Sequence, residues 1–107
     1  MNKAKIGAIG ENDVMLIFKA IGVDVFPVEK TEEASEILNK LVKSGYGIIF
    51  ITESLAKSLD NQIKKYLSLP LPSIVVLPGL KERNDYAIEL LRKSIIKAVG
   101  VDVMKEK

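Results

Sequence analysis

Gly47-Ile48-Ile49-Phe50-Ile51 runs without a polar side chain into Thr52-Glu53, and this stretch decides the fold. A strand with one face in water alternates polar and apolar residues, whereas a short unbroken apolar run rich in β-branched residues reads as a strand buried on both faces of a parallel sheet. Such a sheet needs a helical crossover on either side of the strand. The neighbouring sequence supplies both. Upstream, Thr31 with Glu32 and Glu33 places a cap and two carboxylates at the positive end of a helix dipole, and Ala34, Ile37, Leu38, Leu41 and Val42 recur at helical spacing up to Ser44-Gly45. Downstream, Thr52 caps a second helix, Glu53 meets its dipole, and the stripe Leu55, Leu59, Ile63 and Leu67 carries it to Pro70 and Pro72.

The pattern repeats outward. Lys5 to Ile9 reads as a first strand ending in the turn and cap residues Gly10-Glu11-Asn12-Asp13, with Asn12 as the helix cap. A helix follows, apolar nearly all round from Val14 to Ile21 with Val14, Ile17, Phe18 and Ile21 as its core stripe, and Gly22 stops it. Val23 to Val28 is a second strand, and Ile74-Val75-Val76-Leu77, closed by Pro78-Gly79, is a fourth, also buried. A last helix spans roughly Tyr86 to Val99 and stops at Gly100. The order predicts an α/β fold in a single domain. Its four-stranded parallel sheet, with strands near 4–9, 23–28, 47–51 and 73–77, is flanked by helices on both faces in a Rossmann-like or receiver-like arrangement. The polar run Lys81-Glu82-Arg83-Asn84-Asp85 divides a sheet core, residues 1–80, from a hinge and C-terminal helix, residues 81–107.

A chain of 107 residues holds one domain, and 48% hydrophobic with 28% charged residues gives it a real core. Sixteen Lys and Arg against fourteen Asp and Glu leave a net charge of +2, too little for a nucleic-acid footprint, and the excess sits in residues 81–107. With neither cysteine nor histidine, thiolate metal sites, disulfides and the commonest general base are excluded, so no cofactor, metal or catalytic residue is expected. No apolar run approaches the length of a membrane span, and Met1-Asn2-Lys3-Ala4-Lys5 leads into a strand without a signal-peptide core; a cytoplasmic protein is expected.

In open α/β sheets ligands sit at the carboxyl ends of the strands, here Gly10 to Asp13, Thr52-Glu53 and Pro78 to Leu80. Gly7-Ala8-Ile9-Gly10 lacks the third glycine of a dinucleotide fingerprint, and no phosphate-binding lysine follows it. The sharper comparison is a response-regulator receiver, which uses carboxylates at these strand ends to hold magnesium and accept a phosphoryl group. Glu11 and Asp13 would supply the acidic pair. The third strand, however, ends Phe50-Ile51-Thr52-Glu53 without a phosphoacceptor aspartate, and Leu77-Pro78-Gly79 lacks the lysine after the fourth.

Apolar residues outside the expected core are the remaining signal. At 100° per residue the last helix gathers Ala87, Ile88, Leu91, Ile95, Ala98 and Val99 on one face, leaving Leu90 and Ile96 on its sides near Arg92, Lys93 and Lys97. By the same arithmetic Met15 and Leu16 face outward from the first helix. Misplaced apolar residues on two helices point to a protein–protein surface.

Ile9-Gly10-Glu11-Asn12-Asp13, with Phe18 and Gly22-Val23 behind it, resembles the opening of the F subunit of V-type and A-type ATP synthases, with Glu11 where aspartate is usual. Gly47-Ile48-Ile49-Phe50-Ile51-Thr52-Glu53-Ser54-Leu55-Ala56 is similar to that family's third strand and following helix start. Pro72 to Pro78-Gly79 is similar to its proline-bounded fourth strand, and Ile95-Ile96-Lys97-Ala98-Val99-Gly100-Val101-Asp102-Val103 to its ending. The resemblance covers essentially the whole chain in order. It implies a non-catalytic central-stalk (rotor) component that binds the coiled-coil D subunit, reaches the ATPase head through its C-terminal helix and attaches to the membrane only through the complex. ATP synthesis or hydrolysis coupled to proton or sodium transport would belong to the whole assembly. The alternative reading is a receiver-like or small-ligand regulatory domain with a degenerate site.

Overall fold

The computed structural model describes residues 5–77 and 85–105. Its elements follow the predicted alternation: β1 (Ile6–Gly10), α1 (Asn12–Ile21), β2 (Asp24–Pro27), α2 (Thr31–Lys43), β3 (Ile48–Thr52), α3 (Glu53–Ser58), α4 (Asp60–Tyr66), β4 (Ser73–Leu77) and α5 (Asp85–Lys105). The strands form one parallel sheet in the order β2-β1-β3-β4. Strands β1 and β3 are the inner pair, as the unbroken apolar run demands, and Ile49, Phe50 and Ile51 are at most 2% exposed.

Alternation along the strands sends side chains into two cores. Ile9, Ile49 and Ile51 meet Leu38 and Leu41 of α2, Leu55 and Ala56 of α3 and Ile63 of α4. Ala8, Phe50 and Leu77 meet Val14, Met15 and Phe18 of α1 and Leu91 and Ile95 of α5, with the Phe18 and Phe50 rings 5.1 Å apart. Helices α1 and α2 end as their glycines require: Gly22 and Gly45 have φ of +88° and +81°, and Val23 and Tyr46 donate backbone bonds back to Phe18 and Leu41.

Several local expectations are corrected. Asn12 and Thr31 are the first helical residues, and neither caps; Glu11 and Lys30 hold the cap positions without a side-chain cap bond. Thr52 does precede α3, but its hydroxyl does not cap the helix. The single helix expected after β3 breaks at Leu59, whose φ and ψ are −106° and 19°. The break keeps Leu55, Leu59 and Ile63 in one core and turns α4 toward α2, leaving Leu67 65% exposed instead of continuing the stripe. Strand β4 is an edge, not a buried strand, and Val75 and Val76 are 37% and 45% exposed. Helix α5 runs through Gly100 to Lys105; a glycine weakens a helix interior by about 1 kcal/mol but ends it only where a left-handed residue is adopted. Most of the predicted hinge, residues 81–84, lies outside the described residues, as do the side chains of Ala87, Ile88, Ala98 and Val99.

Candidate functional site

With the order β2-β1-β3-β4, the chain leaves β1 toward β2 on one side and returns to place β3 on the other, so the switch point lies between the carboxyl ends of β1 and β3. Glu11 follows β1 directly, and Thr52 closes β3 with its side chain buried. Oε2 of Glu11 accepts a hydrogen bond from the Thr52 hydroxyl at 3.0 Å and another from the Ser54 hydroxyl in the first turn of α3 at 3.1 Å. One carboxylate oxygen thus ties both halves of the crevice together. The approach is close: a Cβ on Gly10 would come within 2.6 Å of Thr52 Cγ2 and 3.0 Å of Met15 Cε, so glycine is needed for contact.

This is the place where a receiver would hold its cation, and the chemistry differs. Glu11, the predicted acidic candidate, is engaged by two hydroxyls, while Asp13 turns its Oδ1 onto the backbone N–H of Val14 at 2.9 Å. Among the described residues no three acidic, His or Cys side chains gather as a metal site would need. The third part of the crevice, Pro78 to Leu80, lies outside the described residues. At the ends of β1 and β2 a shallow hollow of about 320 Å³ is lined by Asn12, Pro27, Val28, Glu29 and Glu33.

The predicted contact residues divide. Met15 is 1% exposed, so its placement on the outer surface is corrected: α1 lies with Val14, Met15 and Phe18 all against the sheet, and the Met15 methyl reaches over Gly10. Leu16 is 60% exposed. On α5, Leu91 and Ile95 anchor the helix while Leu90 and Ile96 stand 48% and 45% exposed, and Arg92, Lys93 and Lys97 are exposed as well. Leu90 and Ile96 do not form one stripe: six residues at 100° each set them on opposite flanks, roughly 120° apart across the outer face, with Lys93 and Lys97 between. Arg92 lies 3.7 Å from Glu89 of its own helix.

Two further constellations escaped the sequence reading. The Gln62 amide of α4 accepts from the Ser35 hydroxyl at 2.6 Å and donates to the Ser35 carbonyl, and the Tyr66 hydroxyl donates to Asn39 Oδ1 at 3.0 Å. The visible signal was two i, i+4 polar pairs, 35/39 and 62/66, on helices whose relative placement the sequence does not give. At the opposite end of the sheet the Tyr46 phenol donates to Asp24 Oδ2 at 2.8 Å, with Lys5 Nζ 5.6 Å from its ring centre. Burial first, then the hydrogen bond and charge of Asp24, push the Tyr46 phenol above its ordinary pKa.

Residues 6–95 match the family model described as ATP synthase (F/14-kDa) subunit. The F subunit of the V-type ATP synthase of Clostridium perfringens is 38% identical over 100 residues, covering 94% of this chain and 95% of that protein. The F subunit of the A-type ATP synthase of Methanothermobacter thermautotrophicus is 29% identical over 104 residues, covering 95% and 98%. A crystal structure of the V-type ATP synthase F subunit of Archaeoglobus fulgidus superposes with a TM-score of 0.48 at 16% identity, covering 71% of this chain and 99% of that one.

Proposed function

The chain belongs to the F-subunit family of V-type and A-type ATP synthases, and from that premise we propose that it is a non-catalytic component of the central rotor stalk, seated against the coiled-coil D subunit and reaching the ATPase head through α5. The observation that carries this reading is the division of labour along α5. Leu91 and Ile95 fasten it to the sheet, while Leu90 and Ile96 keep about half their surface in water on the flanks. At 1.5 Å per residue a helix of this length spans about 30 Å, enough to lie along another helix pair. Lys93 and Lys97 between the two flanks, with Arg92 beside Ile96, make that surface basic and suited to acidic residues on the partner. The switch-point crevice supports the same reading, because its Glu11 carboxylate is held by the Thr52 and Ser54 hydroxyls as a brace between the two strand ends.

Coupling to ATP synthesis or hydrolysis, and to proton or sodium transport, is then exercised through the assembly. No helix among the described residues is long and apolar enough to cross a membrane.

The test is a double change, Leu90→Ser with Ile96→Ser, in the native complex. Each exposed side chain covers about half the apolar area of a fully buried leucine or isoleucine, so its burial by a partner is worth about 1 kcal/mol before association costs. The expected result is reduced retention with the D subunit and the ATPase head and an unchanged melting temperature of the free chain. Retention equal to wild type would overturn the assignment of α5 as the contact.

A further inference from the structure

Between Leu59 and Pro72, both buried, the chain has a single buried side chain, Ile63. The other residues from Asp60 to Leu71 are exposed or half-buried. Helix α2, packed on the same sheet face, buries Ala34, Leu38 and Leu41. Burial of apolar area is the main force that holds a surface helix down, and a helix of seven residues such as α4 has no stability of its own in water. By that measure α4 is loosely held.

What fastens α4 to α2 is polar. The hydroxyl and the carbonyl of Ser35 are both bonded to the Gln62 amide, the Tyr66 hydroxyl donates to Asn39, and Gln62 Nε2 also donates to the Tyr66 hydroxyl at 3.3 Å, which joins the two contacts. Along this seam lies a hollow of about 540 Å³, lined in addition by the exposed Glu36, Asn61 and Lys65. Hydrogen bonds that water can replace have a small net worth. The two ends of the segment are fixed. Leu59 is anchored in the core and breaks the helix, and beyond the buried Pro72 the Ser73 N–H donates to the Gly47 carbonyl at 2.9 Å, where pairing with β3 begins. A segment anchored at both ends, with one apolar contact and a replaceable polar seam between them, can leave its seat while the strands stay paired.

We propose that residues 60–71 form a strap, pivoting at Leu59 and Pro72, which opens from α2 as one unit while the sheet and the other helices stay folded. The open state is rare in the free chain. It draws Ile63 out of the core, breaks the contacts of Gln62 with Ser35 and of Tyr66 with Asn39, and bares that side of α2. The molecule thereby has a second conformation on the sheet face opposite α5, and the inference does not depend on the stalk reading.

Backbone amide exchange of the full chain, read residue by residue across a urea series below the unfolding transition, tests it. The amides of Ile63 and Leu67, which donate to the Leu59 and Ile63 carbonyls, should exchange at least about a hundredfold faster than those of Leu38 in α2 and Phe50 in β3. Their rates should hardly depend on urea, because a local opening exposes little surface. Lys64→Pro breaks α4 for good, so that the chain starts from the open state; its Phe50 amide should still be protected at least about a hundredfold relative to an unstructured chain. Exchange of Ile63 and Leu67 at the rate and urea slope of Phe50 means that α4 opens only with the whole domain, and overturns the proposal. A Lys64→Pro chain with no protection at Phe50 overturns it as well. Fast, urea-independent exchange shared by Leu38 also overturns it, since α2 and α4 then open together and the strap is not a unit.

Discussion

Glu11 is the residue on which the switch point turns. Its one oxygen accepts from two hydroxyls, one of them on the buried Thr52, so removing it leaves a donor without a partner as well as losing a charge-assisted bond. Glu11→Ala should cost about 1–3 kcal/mol in denaturant unfolding, and much less in a Thr52→Val background, where no buried hydroxyl is stranded. Strict additivity of the two changes would show that the bonds contribute nothing together. Tyr46 gives a pH signature at the other end of the sheet. Its phenol is held above the ordinary value of about 10, so the fold favours the protonated form; that stabilisation is whole below about pH 10 and is lost as pH rises through the raised folded value. Thermal melts between neutral and strongly alkaline pH should therefore fall more steeply for wild type than for Tyr46→Phe, which is weaker at neutrality because it lacks the bond to Asp24. Parallel slopes would contradict it. Glu11 and Thr52 were both visible in the sequence as strand-end residues, but their pairing, 41 positions apart, depends on which strands lie side by side.

At the scale of elements, the helix after β3 shows where periodicity stops being informative. Leu55, Leu59, Ile63 and Leu67 keep perfect four-residue spacing, yet the first three are buried and the fourth is not. A straight helix drifts about 40° with each four-residue step, so a stripe at that spacing leaves the core unless the helix bends. Here it bends at Leu59, and α4 swings onto α2, where Gln62 and Tyr66 find Ser35 and Asn39. Leu59→Ala should accordingly destabilise by about 2–5 kcal/mol while Leu67→Ser stays within about 0.5 kcal/mol of wild type, as read by urea unfolding. Equal costs would restore the uninterrupted stripe. The glycine stops at Gly22 and Gly45 were legible because a left-handed residue is a local requirement of the backbone. The caps were not, since Asn12, Thr31 and Thr52 carry the right chemistry at positions where the backbone or a distant partner assigns it otherwise.

For the whole molecule, the packing of Leu91 and Ile95 against Phe18 and Phe50 makes α5 part of the same core as α1 and the sheet. In a Tyr86→Phe chain, whose remaining tyrosines Tyr46 and Tyr66 both lie on the other sheet face, unfolding followed by far-ultraviolet circular dichroism, which weighs the long α5, should coincide with unfolding followed by tyrosine fluorescence. A first transition confined to helical signal would mark α5 as an independent arm, and Ile95→Ser should produce that separation. The sequence by itself determined the alternation of strands and helices, the two-sided burial of 48–51 and the family, because each is carried by residue types and spacings that act over a few neighbours. Only the tertiary structure decided that β4 is an open edge, that Met15 is buried while Leu16 is not, and that Leu90 and Ile96 flank α5 on opposite sides. An apolar run reads the same in the middle of a sheet as at its border, and a helix apolar nearly all round reads the same whichever face it turns inward. Strand order and helix rotation are fixed by contacts between segments far apart in the chain.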